Sequence, residues 1–278
     1  MPGPSFHFFN KFTGSKNSDM VSQKPEYRKI PRSRIATFDV FAAGMGRHHV
    51  FAMLEFDVTE SRRRLQDLRR GGTNISFNGW LLKSIADVLH QHREDVAYRQ
   101  GKKRLVLFDD INISFIVEKK IDNNRVPMPL VITGANGKSP EQITFEIEKA
   151  KISSISEDDI VLNKKSPPAE QIYYHLPGFL RRGVWRFLLR HPRLAYNTMG
   201  NVAVTSLGMT GKINGWFIHR SVHPVSFGIG SVLRKPVVKG NEIMVRDILN
   251  MTILIDHDVI DGAQMLRLLN DLTRIIES

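Results

Sequence analysis

The residues best suited to chemistry lie in one short stretch, LIDHDVIDGAQ, at positions 254–264. An apolar run ends there on His257, which stands between two aspartates, and Asp261 and Gly262 follow. Histidine is the side chain whose ordinary pKa suits proton transfer near neutral pH. A carboxylate nearby can orient such a base, and a glycine lets a second backbone approach closely. The stretch therefore predicts a general base, His257, at the end of a strand.

The same spacing also has a structural interpretation. A histidine followed by three residues and Asp-Gly recurs by chance, and a buried structural histidine beside a helix-capping aspartate has this sequence too. The surroundings favour chemistry, because a strand, a tight turn and a helix over GAQMLRLLNDLTRIIES place the histidine on a rigid support. Spacing alone leaves both interpretations open.

Composition bounds the class of protein. The chain has 278 residues, of which 41% are hydrophobic, which is enough for one large core or two modest ones. It has no cysteine, which excludes disulfides, thiolate metal sites and cysteine nucleophiles. No apolar run approaches the roughly 18–20 residues that span a bilayer, and the N-terminus lacks a secretory-signal pattern. We therefore expect a cytoplasmic protein that holds no metal.

The net charge of +12 favours either an anionic partner or simply a basic, soluble surface. The charge is concentrated in residues 163–200, which break the strand–helix alternation. This segment predicts a basic amphipathic helix over 177–195, with arginines at i, i+4 and i+8 and apolar residues on the other face: Arg182, Arg186, Arg190; Leu180, Val184, Phe187 and Leu188. Either its apolar face packs on the core, or it docks on a membrane surface or partner. Nucleic acid is not expected as a partner, because no binding motif accompanies the charge.

The pattern of elements predicts one mixed sheet with helices. Residues 1–28 read as a flexible arm and 29–278 as the folded domain, with 163–200 inserted as a helical segment. The run from Ile35 to Val58 is strand-like. Helices are expected after Thr59 as N-cap, within SFNGWLLKSIADVLHQH, and after Ser139 as N-cap, and a hairpin is expected at 239–241.

Four segments, in order, resemble the catalytic domains of the dihydrolipoyl acyltransferases of 2-oxoacid dehydrogenase complexes, a family related to the chloramphenicol acetyltransferases. ILIDHDVIDGAQ resembles the family signature D-H-R-x-x-D-G-A, and NVAVTSLGMTGKING resembles its T-I-S-N-L-G loop. The helix NISFNGWLLKSIADVLHQH and the segment LVLFDDINISFIVEKKIDNNRVPMPLVITGANGKSPEQ also match. The resemblance covers about residues 30–278.

The resemblance implies a chloramphenicol acetyltransferase-like α/β (α+β) fold, a mixed sheet flanked by helices, in a homotrimer that can join into a larger hollow assembly. It implies coenzyme A or acyl-CoA as substrate. His257 would take the proton of a thiol, of CoA or of a dihydrolipoyl group, and the Thr205 hydroxyl would stabilise the oxyanion. Asp261 would orient the site, with Arg47 as its salt-bridge partner. The implied substrate-binding positions are Ser206, Gly208, Asp256 and Gly262.

Three departures separate this chain from the family pattern. No lipoyl domain is recognisable, so lipoyl groups would have to arrive on another protein. Asp258 stands where the signature has Arg, and there it would either favour the charged form of His257 or face solvent. The basic segment 163–200 precedes the Thr205 loop. Two alternatives to an acyltransferase therefore remain: a scaffold or cage-forming protein of the same fold, and a peripheral membrane module acting through the arginine helix.

Overall fold

A computed structural model describes residues 25–30, 33–121, 124–152, 168–207 and 213–278. The chain divides into two compact units, Met1–Pro31 and Arg32–Ser278. In the first unit, residues 25–30 are exposed and form neither helix nor strand. The predicted arm at 1–28 lies mostly outside the described residues and stays a prediction. All helices and strands given below belong to the second unit.

The main structure of the second unit is a six-stranded mixed sheet. Eight strands are described: β1 His49–Asp57, β2 Tyr98–Gln100, β3 Arg104–Val106, β4 Ile113–Ile121, β5 Asn124–Ile132, β6 Val202–Ser206, β7 Val225–Lys239 and β8 Glu242–Asp256. The sheet order is β1-β8-β7-β6-β4-β5, and β2 and β3 form a separate hairpin. β8 is antiparallel to β1 and β7, β5 is antiparallel to β4, and β6 is parallel to both β7 and β4. The mixed sheet predicted from the sequence is confirmed.

Eight α-helices are described: α1 Ser33–Gly44, α2 Thr59–Arg70, α3 Phe77–Gln91, α4 Pro140–Ile152, α5 Pro168–His175, α6 Gly178–Arg190, α7 Pro192–Met199 and α8 Gly262–Glu277. Ser76 caps α3 by accepting from the Gly79 amide, and Ser139 accepts from the amide of Gln142 at the start of α4. None of the helices in the described ranges is long and apolar enough to cross a membrane.

Two local predictions are wrong. The strand-like run from Ile35 is helix α1, because the buried Asp39 on it accepts hydrogen bonds from Tyr173 on α5 and Arg181 on α6, more than a hundred residues away. Such distant contacts override the strand propensity of β-branched and aromatic residues. Thr59 does not cap α2; its hydroxyl donates to Asp57 and it is itself the first helical residue.

The hydrophobic core lies between one face of the sheet and helices α3, α4 and α8. Inward side chains alternate along the strands, as the pleat requires. They meet the fully buried side of α3 and the inner side of α8; members are Phe115, Val204, Phe227, Ile253, Leu81, Leu89, Leu272 and Ile276. The core therefore fixes the ends of β8 and the beginning of α8, between which His257 lies.

The opposite face of the sheet is polar at its middle and carries the segment 213–219. The Trp216 indole donates to the carbonyl of Leu54, and the Asn250 amide donates to the carbonyl of Gly215. A Cβ placed on Gly228 would lie 2.9 Å from Nδ1 of His219. A glycine is required there, because the segment packs directly on the strand backbone.

Candidate active site

His257 occupies a tight turn at the C-terminal end of β8, where the sequence predicted it. The carbonyl of Asp256 accepts from the amides of Val259 at 2.9 Å and Ile260 at 3.4 Å, which closes the turn. The amide of His257 donates to the carbonyl of His48 at 3.0 Å, while its side chain is exposed. The backbone of this residue is thus fixed and its imidazole is free to meet a substrate.

Asp256, directly before His257, forms a buried ion pair with Arg47. Nη1 of Arg47 lies 2.7 Å from Oδ2 of Asp256, and the two side chains are 11% and 1% exposed. The other oxygen, Oδ1, accepts from the amide of Asp258 at 3.2 Å. The expected pairing of Arg47 with Asp261 is therefore wrong. It had been inferred from the family pattern, whereas β1 pairs with β8 in a register that brings Arg47 beside Asp256.

Asp258, directly after His257, is also held by basic groups. Nη1 of Arg99 lies 2.7 Å from its carboxylate, and Nδ1 of His48 lies 3.1 Å from both oxygens. The alternative in which Asp258 simply faces solvent is wrong, because its side chain is only 22% exposed and is paired. Neither His48 nor Arg99 was singled out from the sequence. The only signal was the interruption RHH before the first strand.

Asp261 caps helix α8. Its Oδ1 accepts from the amides of Ala263 and Gln264, both at 3.0 Å, and the amide of Asp261 donates to Oε1 of Gln264 at 3.1 Å. This capping box fixes where the helix begins after the His257 turn. Gly262 was expected to permit a close backbone approach, but a Cβ there would meet nothing within 4 Å in this chain.

Thr205 and Ser206 lie at the end of β6, half-buried, opposite Gly228 and Ile229 of β7. Within the described ranges, no hydrogen bond joins the Thr205 hydroxyl to another residue. Gly208 lies outside the described residues. Across the described ranges, no three His, Asp or Glu side chains come together as a metal site.

Thr205 and His257 are separated both along and across the sheet. β6 runs parallel to β7 and β8 runs antiparallel to it, so the C-terminal ends of β6 and β8 point in opposite directions. Thr205 and Thr252 both pair with Gly228, and His257 comes five residues after Thr252. At about 3.3 Å per residue and 4.8 Å per strand spacing, the two residues are roughly 19 Å apart. One chain does not bring the base and the hydroxyl together.

A group of three histidines that sequence reasoning missed lies on the polar face of the sheet. Nε2 of His219 lies 2.5 Å from the Ser226 hydroxyl, and its Nδ1 is buried with no described hydrogen-bond partner. Nε2 of His49 lies 2.9 Å from the carbonyl of His223. Burial and the neighbouring His49 and His223 lower the pKa of His219 to about 4. Burial likewise lowers the pKa of His223 to about 4, so both rings are neutral at pH 7.

The buried ion pair beside His257 predicts a stability effect. Arg47→Met leaves the Asp256 carboxylate buried without a counter-charge, which should lower the free energy of unfolding by about 3–5 kcal/mol. Arg47→Met with Asp256→Leu should recover most of that loss, because no buried charge remains. Urea unfolding of the wild type, the single variant and the double variant gives the three free energies of unfolding. Arg63→Met, which breaks the exposed pair with Glu60, is the control and should cost at most about 1 kcal/mol. Equal losses for Arg47→Met and Arg63→Met would contradict the prediction.

The neutral histidines predict a pH dependence. A folded pKa of about 4 against an ordinary value of 6.5 means that the unfolded chain binds more protons between these values. The contribution of the two neutral rings to the free energy of unfolding should be fully present above pH 6.5. It should fall as the pH drops towards 4, by at most about 3 kcal/mol for each ring. Urea unfolding at stepped pH measures the slope. His219→Gln should flatten it, and an unchanged slope in that variant would refute the assignment.

The sequence comparisons agree with the resemblance. Residues 192–278 match the model of the 2-oxoacid dehydrogenases acyltransferase catalytic domain. The lipoamide acyltransferase component of the branched-chain alpha-keto acid dehydrogenase complex of Bacillus subtilis is 26% identical over 238 residues, covering 83% of this chain and 47% of that protein. The dihydrolipoyllysine-residue acetyltransferase component of the pyruvate dehydrogenase complex of Rickettsia bellii is 33% identical over 276 residues, covering 95% and 57%. The chain thus spans about half the length of these relatives.

Solved structures show the same fold. A probable dihydrolipoamide acetyltransferase from Listeria monocytogenes matches with a TM-score of 0.65 at 18% identity, covering 91% of this chain and 94% of that one. The cubic core of a pyruvate dehydrogenase multienzyme complex matches with a TM-score of 0.64 at 17% identity, covering 96% and 97%. The predicted α/β fold, a mixed sheet flanked by helices, is confirmed, and residues 192–278 are similar to the catalytic domain of the 2-oxoacid dehydrogenase acyltransferases.

Proposed function

We propose that this protein is a CoA-dependent acyltransferase that moves an acyl group between CoA and a thiol of the dihydrolipoyl type or another small acceptor. The observation that carries the proposal is the placement of His257: its imidazole is exposed, and an arginine holds each flanking carboxylate. A histidine that is fixed at the backbone and exposed at the ring suits general-base work. The match of residues 192–278 to the acyltransferase model supports the same chemistry.

In the proposed reaction, His257 takes the proton from the S–H group of the acceptor. The thiolate sulfur attacks the carbonyl carbon of the acyl thioester, and the carbonyl oxygen becomes an oxyanion. The Thr205 hydroxyl donates a hydrogen bond to that oxyanion, which is the charge that develops in the transition state. The original C–S bond then breaks, and the departing thiolate recovers the proton from the His257 imidazolium.

The distance between His257 and Thr205 supports an assembly in which neighbouring subunits share each site, and we propose that this assembly is a homotrimer. Closed cyclic assemblies place one subunit's residue against a different surface of the next. The face of the sheet that is turned away from the core also exposes apolar side chains, which support a subunit contact there: Phe51, Met53, Trp216 and Ile218. A larger hollow assembly of such trimers remains a proposal, and so does the scaffold role that would go with it.

The remaining site residues act as positioning groups in this proposal. Asp256 holds Arg47 and the turn instead of binding substrate, and Asp261 fixes the start of α8. The β2–β3 hairpin is joined to the site by Arg99 and exposes Lys102, Lys103 and Arg104 near its turn. Because CoA carries several phosphate charges, this cationic hairpin would attract it.

The acceptor and its source follow from the relatives. Those proteins are named as components that act on dihydrolipoyllysine residues or lipoamide. We propose a lipoyl group carried by another protein as the acceptor in trans, within the cytoplasm. Ser206 and Gly208 would line its path beside Thr205.

The first expected outcome concerns His257. With a series of acyl-CoAs from acetyl to medium chain and dihydrolipoamide as acceptor, the wild-type protein should release CoA. His257→Ala should lower turnover by about 10²–10⁴-fold, because the general base is lost. His90→Ala, which removes another exposed histidine, is the control and should keep full turnover. Unchanged turnover in His257→Ala would reject the mechanism.

The second expected outcome concerns a site that two neighbouring subunits share. His257→Ala and Thr205→Ala should each be strongly impaired as separate proteins. After the two are unfolded and refolded together, activity should return to about a quarter of the wild-type value, because random trimers contain some sites with both intact residues. The control is refolding each variant alone. No recovery on mixing, with trimers confirmed by light scattering, would place the whole site within one subunit.

A further inference from the structure

Helix α6 is attached to the protein along one side. Nε of Arg181 lies 2.7 Å from Asp39 of α1, and its Nη1 donates to the carbonyl of Leu176. The Trp185 indole donates to the Tyr173 hydroxyl at 2.9 Å. Leu188 and Leu189 are half-buried on the same side. These contacts fix which part of the helix faces away from the protein.

The outward side of α6 carries unpaired positive charge. Arg182, Arg186 and Arg190 are exposed, and none of them forms an ion pair with a residue that the structure describes. They recur every four residues, which places them along one stripe of the helix. No acidic residue occurs between positions 176 and 200, so neither α6 nor α7 carries an acid that could neutralise them.

The same outward side carries large apolar side chains. Phe179 is 65% exposed and Phe187 is 56% exposed, and Leu180 and Val184 are each 44% exposed. No residue of α6 is buried. The interpretation in which this apolar face packs on the core is therefore wrong. An exposed face that combines several apolar side chains with cations marks an interaction surface.

We propose that the outward side of α6 docks on the surface of an anionic lipid bilayer. Anionic lipid headgroups would be the ion-pair partners of Arg182, Arg186 and Arg190. The aromatic rings would lie at the boundary between the headgroups and the acyl chains. A second copy of this chain would bring the same positive stripe and repel it. Nucleic acid would satisfy the arginines but would leave Phe179 and Phe187 in water. The helix would lie parallel to the membrane plane, with the arginine stems extended towards the phosphates.

The test is co-sedimentation of the full chain with vesicles. Wild-type protein should bind vesicles of phosphatidylglycerol and phosphatidylcholine and should not bind phosphatidylcholine alone. Arg182→Gln/Arg186→Gln/Arg190→Gln should weaken partitioning on the order of 100-fold, because each cation near an anionic surface contributes about 1 kcal/mol. Phe179→Ser/Phe187→Ser should weaken it as well, and this second loss separates lipid insertion from simple charge attraction.

The matched control removes the same charge elsewhere. Arg64→Gln/Lys149→Gln/Arg234→Gln changes three exposed residues on other elements and should leave partitioning within about threefold, because charges farther than a Debye length from the bilayer are screened. Equal losses in the two triple variants would overturn the proposal, since binding would then follow net charge alone. It would also be overturned if wild-type protein failed to bind anionic vesicles, or if the α6 variant lost binding to duplex DNA but kept binding to vesicles.

Discussion

The buried ion pair between Arg47 and Asp256 is the constraint on which the site depends. A carboxylate that is 1% exposed requires a counter-charge, because an isolated buried ion is very costly. Arg47 supplies it from the residues just before β1. The same aspartate holds the turn through its side chain and its carbonyl, so the chain that carries His257 starts from a fixed point. The capping box of Asp261 fixes the other end. His257 therefore lies between two anchored residues and needs no packing of its own ring.

The direction of the strands keeps His257 and Thr205 apart within one chain. β8 places His257 just beyond one end of the sheet, whereas β6 places Thr205 two strands away and part-way along β7. No movement of side chains can cover a separation of roughly 19 Å. If both residues act on one substrate, two copies must meet so that the His257 turn of one lies against the C-terminal end of β6 of the other. The exposed apolar residues beside the segment 213–219 become useful in such an arrangement, because they would be buried there.

Local sequence patterns predicted the secondary structure around His257. They did not predict features that depend on contacts between residues far apart in the chain. The strand, turn and helix around His257 follow from an apolar run, a polar turn and an amphipathic stretch, all within 30 residues. The partner of Arg47 lies 209 residues away in the chain, so spacing could not distinguish Asp256 from Asp261. The helix α1 was read as a strand for the same reason, since its contact with α5 and α6 joins distant segments. Contacts between distant segments decided both features, and in α1 they overrode the local strand propensity.

This chain has Asp at position 258, where the family signature has Arg. The positive charge is still present near that position, but it comes from other residues. In the family signature a cation follows the histidine; here an anion follows it, and Arg99 and His48 lie against that anion. The paired carboxylate contributes little net charge to its surroundings, whereas an unpaired one would favour the protonated imidazole. A basic group thus lies against residue 258, and it comes from the β2–β3 hairpin. The carboxylate that follows His257 is therefore a paired charge and not a free one, and the pairing depends on Arg99 and His48.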